Sequence, residues 1–122
     1  MKLKTLMIIK AIACLCFGPL FLFFPAWLLN LIGSSYGPGA ALTARLYGAT
    51  VIGNMLLTWL ARDASKSIAR KAIIIHLFVY DAIGLIITLK IQLSGGLNSL
   101  GWSIVFGYFF LTVGFGYFLV QE

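Results

Sequence analysis

The stretch AIIIHLFVYDAIGLIITLKI, residues 72–91, decides the fold of this protein. It contains one acidic residue, Asp81, and its only other charged residue, Lys90, lies next to its end. An α-helix needs about 20 predominantly apolar residues to cross the hydrocarbon core of a bilayer. This stretch therefore predicts a membrane-spanning helix.

Three further apolar runs of similar length flank this stretch. Connections of only ten residues, at 32–41, 62–71 and 92–101, separate the four runs. Such short connections force each helix to lie antiparallel to its neighbour in the sequence. We therefore predict an all-α fold: one membrane domain over residues 1–122, a four-helix bundle with transmembrane helices at residues 11–31, 42–61, 72–91 and 102–120.

The composition of the whole chain agrees with a membrane location. Of its 122 residues, 61% are hydrophobic and only 10% are charged, whereas soluble domains carry about 25% charged residues. The mean hydropathy is +1.04. These values exclude a soluble globule, which needs a polar surface, and a disordered chain, which needs low hydrophobicity.

The net charge of +6 is interpreted as a topology signal and not as a nucleic-acid-binding surface. Seven of the nine Lys and Arg residues lie before the first run or between the second and third, which predicts that both termini are cytoplasmic. We expect an integral protein of a bacterial cytoplasmic (inner) membrane, with no nucleic-acid partner. The seven residues are Lys2, Lys4, Lys10, Arg62, Lys66, Arg70 and Lys71; Arg45 and Lys90 lie on the other side.

Polar residues inside the apolar runs are the candidate functional residues, because they are costly in a bilayer. Asp81 is the tenth residue of its run and is expected near the bilayer midplane. By depth in the hairpin, the expected partner of Asp81 is either Asn54 or Arg45 of the second run, which lie on opposite faces of their helix. We favour a structural hydrogen bond or ion pair; a proton or ion relay and a contact with a partner subunit are the alternatives.

His76 is the only histidine. A single histidine without a surrounding motif favours a hydrogen-bonded packing role, and we predict no cofactor. Ligation of a haem or chlorophyll metal by His76 is the less favoured alternative. No metal site is predicted, because no histidine or further cysteine lies near Cys14 and Cys16 in the sequence to complete a set of ligands.

Small residues in the runs predict where helices approach closely, since membrane helices associate through such contacts. The predicted packing glycines are Gly48 and Gly53 in the second run, Gly84 in the third, and Gly107 and Gly114 in the fourth.

Three segments carry a resemblance to a known family: FPAWLL at 24–29, ARLYGA at 44–49 and LTWLAR at 57–62. A proline near the end of the first helix and an Arg-x-x-Gly sequence opening the second make the chain similar to small, mostly uncharacterised four-helix bacterial membrane proteins of the DoxX-like type. The resemblance covers about half of the chain. It implies a compact four-helix bundle, and some members of that family serve as accessory subunits of membrane oxidoreductases.

Two functions are compatible with these observations. The favoured one is a non-catalytic accessory or structural subunit of a larger membrane complex, with the lipid bilayer and other membrane subunits, or a second copy, as partners. The alternative is a small proton- or ion-coupled carrier or channel that uses Asp81. We predict no enzyme activity and no catalytic residues, because no nucleophile–base pair is evident.

Overall fold

The computed structural model describes residues 2–122 and is all α-helical. Three of its helices, α1, α4 and α5, are long and apolar enough to cross a membrane by length and composition. This finding confirms the prediction of an all-α protein with membrane-spanning helices. The helices are α1 (Leu3–Phe23), α2 (Pro25–Leu31), α3 (Pro38–Ala61), α4 (Ile68–Leu93) and α5 (Gly101–Gln121).

The first predicted helix, residues 11–31, differs from the structure at its start and in its continuity. α1 begins at Leu3, and the helical run is interrupted at Phe24 before α2 begins at Pro25. Proline lacks a backbone N–H and disfavours helical dihedral angles at the residue before it, so Pro25 starts a new helix and does not continue α1. Lys10 therefore lies inside α1, whereas the sequence predicts that it precedes the first helix.

The other three predicted runs lie within α3, α4 and α5, each of which extends beyond the prediction by a few residues at one or both ends. α3 has 24 residues but is not among the three span-length apolar helices. Arg45, Asn54 and several threonines lower its hydropathy. The N-terminus of α4 is capped by Ser67, whose hydroxyl accepts a hydrogen bond from the Arg70 N–H at 3.1 Å.

The long helices pack as two pairs, α1 with α3 and α4 with α5, and α1 also contacts α5. Gly48 forms the α1–α3 crossing, since a Cβ there would lie 2.7 Å from the Leu22 backbone nitrogen. A Cβ at Gly84 would lie 2.5 Å from the Tyr108 ring. Small residues at these positions therefore allow the close approach that packing requires.

The remaining three predicted packing glycines differ in whether a neighbouring helix lies close to them. A Cβ at Gly114 would lie 2.8 Å from the Leu6 side chain, which places Gly114 at the α1–α5 contact. The prediction for Gly53 and Gly107 is wrong, because a Cβ at either position would meet nothing within 4 Å. Four-residue spacing gives the direction of a residue on its helix, but it does not give the neighbour that the residue faces.

One end of the bundle is closed by a core to which all four long helices contribute. At this end Lys4 pairs with Asp63 at 2.8 Å, and Arg70 pairs with Glu122 at 2.7 Å. The start of α1 and the end of α5 therefore lie beside the α3–α4 connection. The buried core residues are Leu6, Met7, Ala61, Ile74, Leu77, Leu111 and Phe115.

Candidate functional site: a buried ion pair beside an intramembrane cavity

An ion pair lies in the interior of the bundle. The Lys10 Nζ donates a hydrogen bond to Asp81 Oδ1 at 2.5 Å, and the two side chains are 4% and 0% exposed. Asp81 lies at the middle of α4, whose ends are Ile68 and Leu93. The ion pair satisfies a charge that would otherwise be costly at this depth, and it joins α1 to α4.

The prediction that Asn54 or Arg45 pairs with Asp81 is wrong. Arg45 is exposed on α3, and the Asn54 amide oxygen instead lies 3.1 Å from His76 Nε2. The prediction considered only the α3–α4 hairpin, whereas α4 also faces α1 across the bundle. One sequence signal would have found the partner: Lys10 is flanked by apolar residues on both sides, as a residue inside a span would be.

His76 and Asn54 form a second polar contact between α3 and α4. The Asn54 side-chain nitrogen is buried and has no hydrogen-bond partner among residues 2–122. His76 borders a small pocket that faces outward from α4 together with Val79, Tyr80 and Ile83. This contact ties two helices whose backbones otherwise approach little within residues 2–122.

A cavity of about 600 Å³ lies between the two helix pairs, on the side of the ion pair that faces away from the buried core. Its walls are mostly apolar, and its volume lies within the range of about 300–1,000 Å³ that is typical of small-molecule sites. Lys10 borders one end, and Ser34 and Ser35, which follow α2, border the other. The apolar wall includes Phe17, Phe21, Leu29, Ile32, Val51 and Ile87.

Three tyrosines contribute the polar part of the cavity wall. The hydroxyl groups of Tyr47 on α3 and Tyr108 on α5 are hydrogen-bonded to each other. The Tyr80 hydroxyl is buried and lies near the Tyr47 hydroxyl, but it forms no hydrogen bond of normal geometry within residues 2–122. The Lys10 Nζ lies 5.0 Å from the centroid of the Tyr80 ring, so the ammonium and this ring lie at the same end of the cavity.

The threonine hydroxyls on the cavity wall are already engaged. Thr43 donates to the Gly39 carbonyl at 2.8 Å, and Thr88 donates to the Gly84 carbonyl at 2.7 Å. These are bonds within a single helix. Apart from Ser34 and Ser35 at the opposite end, the unused polar capacity of the wall is therefore concentrated at the Lys10 and Tyr80 end.

The cavity reaches the molecular surface, since lining residues on each of the four long helices are exposed. Thr43 on α3 and Ile87 on α4 both line the cavity and are exposed, Ile87 by 51%. Gly107 on α5 also lines the cavity, and the space beside it is open.

The sequence-predicted residues are not brought to one site. Asp81 lies behind Lys10, Asn54 and His76 form a separate contact, and Arg45 is exposed. Across residues 2–122, no group of three or more His, Cys, Asp or Glu side chains is placed to hold a metal ion. The sequence analysis missed Lys10 and the three cavity tyrosines.

Three span-length apolar helices around a buried ion pair define an integral membrane protein. Comparison of the chain with protein-family models, with curated proteins and with solved structures found no match.

Proposed function

We propose that this protein is a non-catalytic integral membrane protein that binds a lipid-soluble small molecule in the cavity between its two helix pairs. The observation that carries the proposal is the cavity itself, with a volume of about 600 Å³, mostly apolar walls and a charged group at one end. Concave, mostly apolar sites with a few polar groups are typical of small-molecule binding.

The proposal includes four membrane spans with both termini in the cytoplasm. α3 has 24 residues, and at about 1.5 Å per residue it is long enough for a hydrocarbon core of about 30 Å. The Lys and Arg residues other than Lys10 are concentrated at the end that holds the Lys4–Asp63 and Arg70–Glu122 pairs, which supports a cytoplasmic location for that end.

Cysteine labelling tests this orientation. In a variant without Cys14 and Cys16, cysteine replaces either Ser34 or Ser65, and intact cells are treated with a membrane-impermeant maleimide. We expect labelling of Ser34→Cys and protection of Ser65→Cys until the cells are opened. The reverse pattern would contradict the proposed orientation. Labelling of both variants in intact cells would contradict the proposal that α3, which lies between the two positions, crosses the membrane.

Two biological settings fit a binding protein of this kind. The first is the accessory subunit expected from the sequence, in a larger complex of a bacterial cytoplasmic membrane, and the DoxX-like resemblance is compatible with it. The second is a carrier, which is favoured by one observation. Asp81 Oδ2 is buried and has no hydrogen-bond partner in the described part of the chain, so the carboxylate retains an unused acceptor beside the cavity end. Neither setting requires catalytic residues or a cofactor.

A glycine pair provides the matched test of cavity binding. A Cβ at Gly107 or at Gly53 meets nothing within 4 Å, but only Gly107 lines the cavity. The protein is purified in a mild detergent, and bound small molecules are extracted and analysed by mass spectrometry. We expect a lipid-soluble compound to be extracted from the wild-type protein and from Gly53→Phe. The compound should be absent from Gly107→Phe, provided that this variant is folded. Equal retention by both variants would contradict binding in the cavity.

The same preparation distinguishes the two settings. Co-purification with a larger membrane protein at a fixed ratio supports the accessory subunit. A homogeneous preparation of this chain alone, still retaining the compound, supports the carrier.

A further inference from the structure

We propose that the ligand of the cavity is an uncharged, largely apolar molecule with a carbonyl oxygen at one end, and that this oxygen accepts hydrogen bonds from Tyr80 and Lys10. This inference rests on the proposed binding function and adds the chemical class and orientation of the ligand.

The first argument is the balance of donors and acceptors at the inner end of the cavity. A lysine ammonium has three N–H donors and no acceptor, and one N–H of Lys10 is used by Asp81 Oδ1. The Tyr80 hydroxyl has no partner. When Tyr47 and Tyr108 bond to each other, one hydroxyl hydrogen of that pair remains free. The one unpaired acceptor nearby, Asp81 Oδ2, belongs to a residue that does not line the cavity, so the groups that face the cavity are predominantly donors and favour a ligand that presents an acceptor.

The second argument is charge. Lys10 and Asp81 together are neutral, and both are buried. An anionic head group would add a second negative charge beside Asp81 with only one cation to balance it, which is costly in an apolar environment. A ketone, ester or amide oxygen accepts the same hydrogen bonds without adding a charge. The site therefore favours an uncharged head group over a carboxylate or a phosphate.

The third argument is the rest of the cavity wall. Away from the Lys10 end, the wall is formed mainly by aromatic and branched aliphatic side chains, and the threonine hydroxyls there are bonded to their own helices. The body of the ligand should therefore be apolar. Because the cavity reaches the surface at apolar residues such as Phe17 and Ile87, such a molecule would enter from the bilayer.

Methyl undecyl ketone and n-tridecane are the probes, since they match in length and differ in the carbonyl group. Each is titrated into the protein in lipid nanodiscs, and binding of a ketone labelled with carbon-13 at the carbonyl is followed by infrared spectroscopy. For wild type we expect saturable binding and a shift of the carbonyl band to lower frequency. Tyr80→Phe should weaken ketone binding by about threefold to tenfold, the effect of one lost hydrogen bond, and leave tridecane binding unchanged.

Tyr117→Phe is the matched control, because Tyr117 lies on α5 with 60% of its surface exposed and does not line the cavity. This variant should change the binding of neither probe. Saturable binding of both probes with no shift of the carbonyl band would overturn the head-group inference and leave cavity binding intact. Tighter binding of laurate than of the ketone would overturn the uncharged class. Failure of both probes to bind, or equal binding by Gly107→Phe, would overturn the proposed function itself.

Discussion

Lys10 and Asp81 are separated by 71 positions in the sequence, yet their side chains form a buried ion pair at 2.5 Å in the middle of the bundle. This pair links the two helix pairs, because Lys10 belongs to α1 and Asp81 to α4. It also separates the closed, apolar end of the bundle from the cavity that Lys10 borders. The stability of the fold and the chemistry of the candidate site therefore depend on the same contact.

Removing one member of this pair should destabilise the protein more than removing both. In Lys10→Met, Asp81 is left as an unpaired buried charge or must take up a proton, and breaking a buried pair costs about 3–5 kcal/mol. In the double variant Lys10→Met/Asp81→Leu no charge remains, so much of that loss should be recovered. Thermal unfolding in detergent measures both. Additive losses in the double variant would contradict the coupling.

Gly48→Leu should destabilise the α1–α3 contact. Its Cβ would lie 2.7 Å from the Leu22 backbone nitrogen, so the helices must separate, and overpacking of this kind costs about 1–3 kcal/mol. Gly53→Leu on the same helix is the control, because nothing lies within 4 Å of its Cβ. The readout is the unfolding temperature of each variant; equal temperatures for the two would count against the crossing.

The hydrogen bond between Tyr47 and Tyr108 should contribute modestly to stability. It connects α3 to α5 across the cavity, and hydrogen bonds between membrane helices contribute about 0.6 kcal/mol on average, with a maximum near 1.7. A double-mutant cycle with Tyr47→Phe and Tyr108→Phe measures the coupling. A coupling energy indistinguishable from zero would show that the two hydroxyls act independently.

The pKa of Asp63 should depend on Lys4. A hydrogen bond from Lys4 lowers the pKa of this carboxyl below its ordinary value of 3.8. Because the folded pKa is lowered, the contact stabilises the fold above the ordinary pKa and is lost as the pH falls through the lowered value. In Lys4→Met the pKa should rise toward 3.8, as followed by carbon-13 NMR of the carboxyl. Lys2→Met is the control, and an unchanged pKa in Lys4→Met would exclude the contact.

Residues 72–91 show how much of the fold is fixed by local sequence. Their predominantly apolar composition over 20 residues predicts a spanning helix, and α4 includes all of them. Hydrogen bonding within a helix and the cost of unpaired backbone groups in lipid are local properties. The helices over residues 42–61 and 102–120 can therefore be predicted from the sequence in the same way. Pro25 likewise indicates a disturbance near the end of the first run, although it does not show whether the helix bends or ends.

The site was decided by tertiary structure. Apolar helices in a bilayer have no strong hydrophobic drive that selects which face meets which neighbour, so the chain order alone did not show that α4 meets α1 at Lys10. Depth in one hairpin suggested Asn54 and Arg45 as partners of Asp81, but the packing of two helix pairs brought Lys10 to Asp81. The same packing left the space beside Gly107 open. A cavity is a property of several helices together, and no single run of sequence contains it.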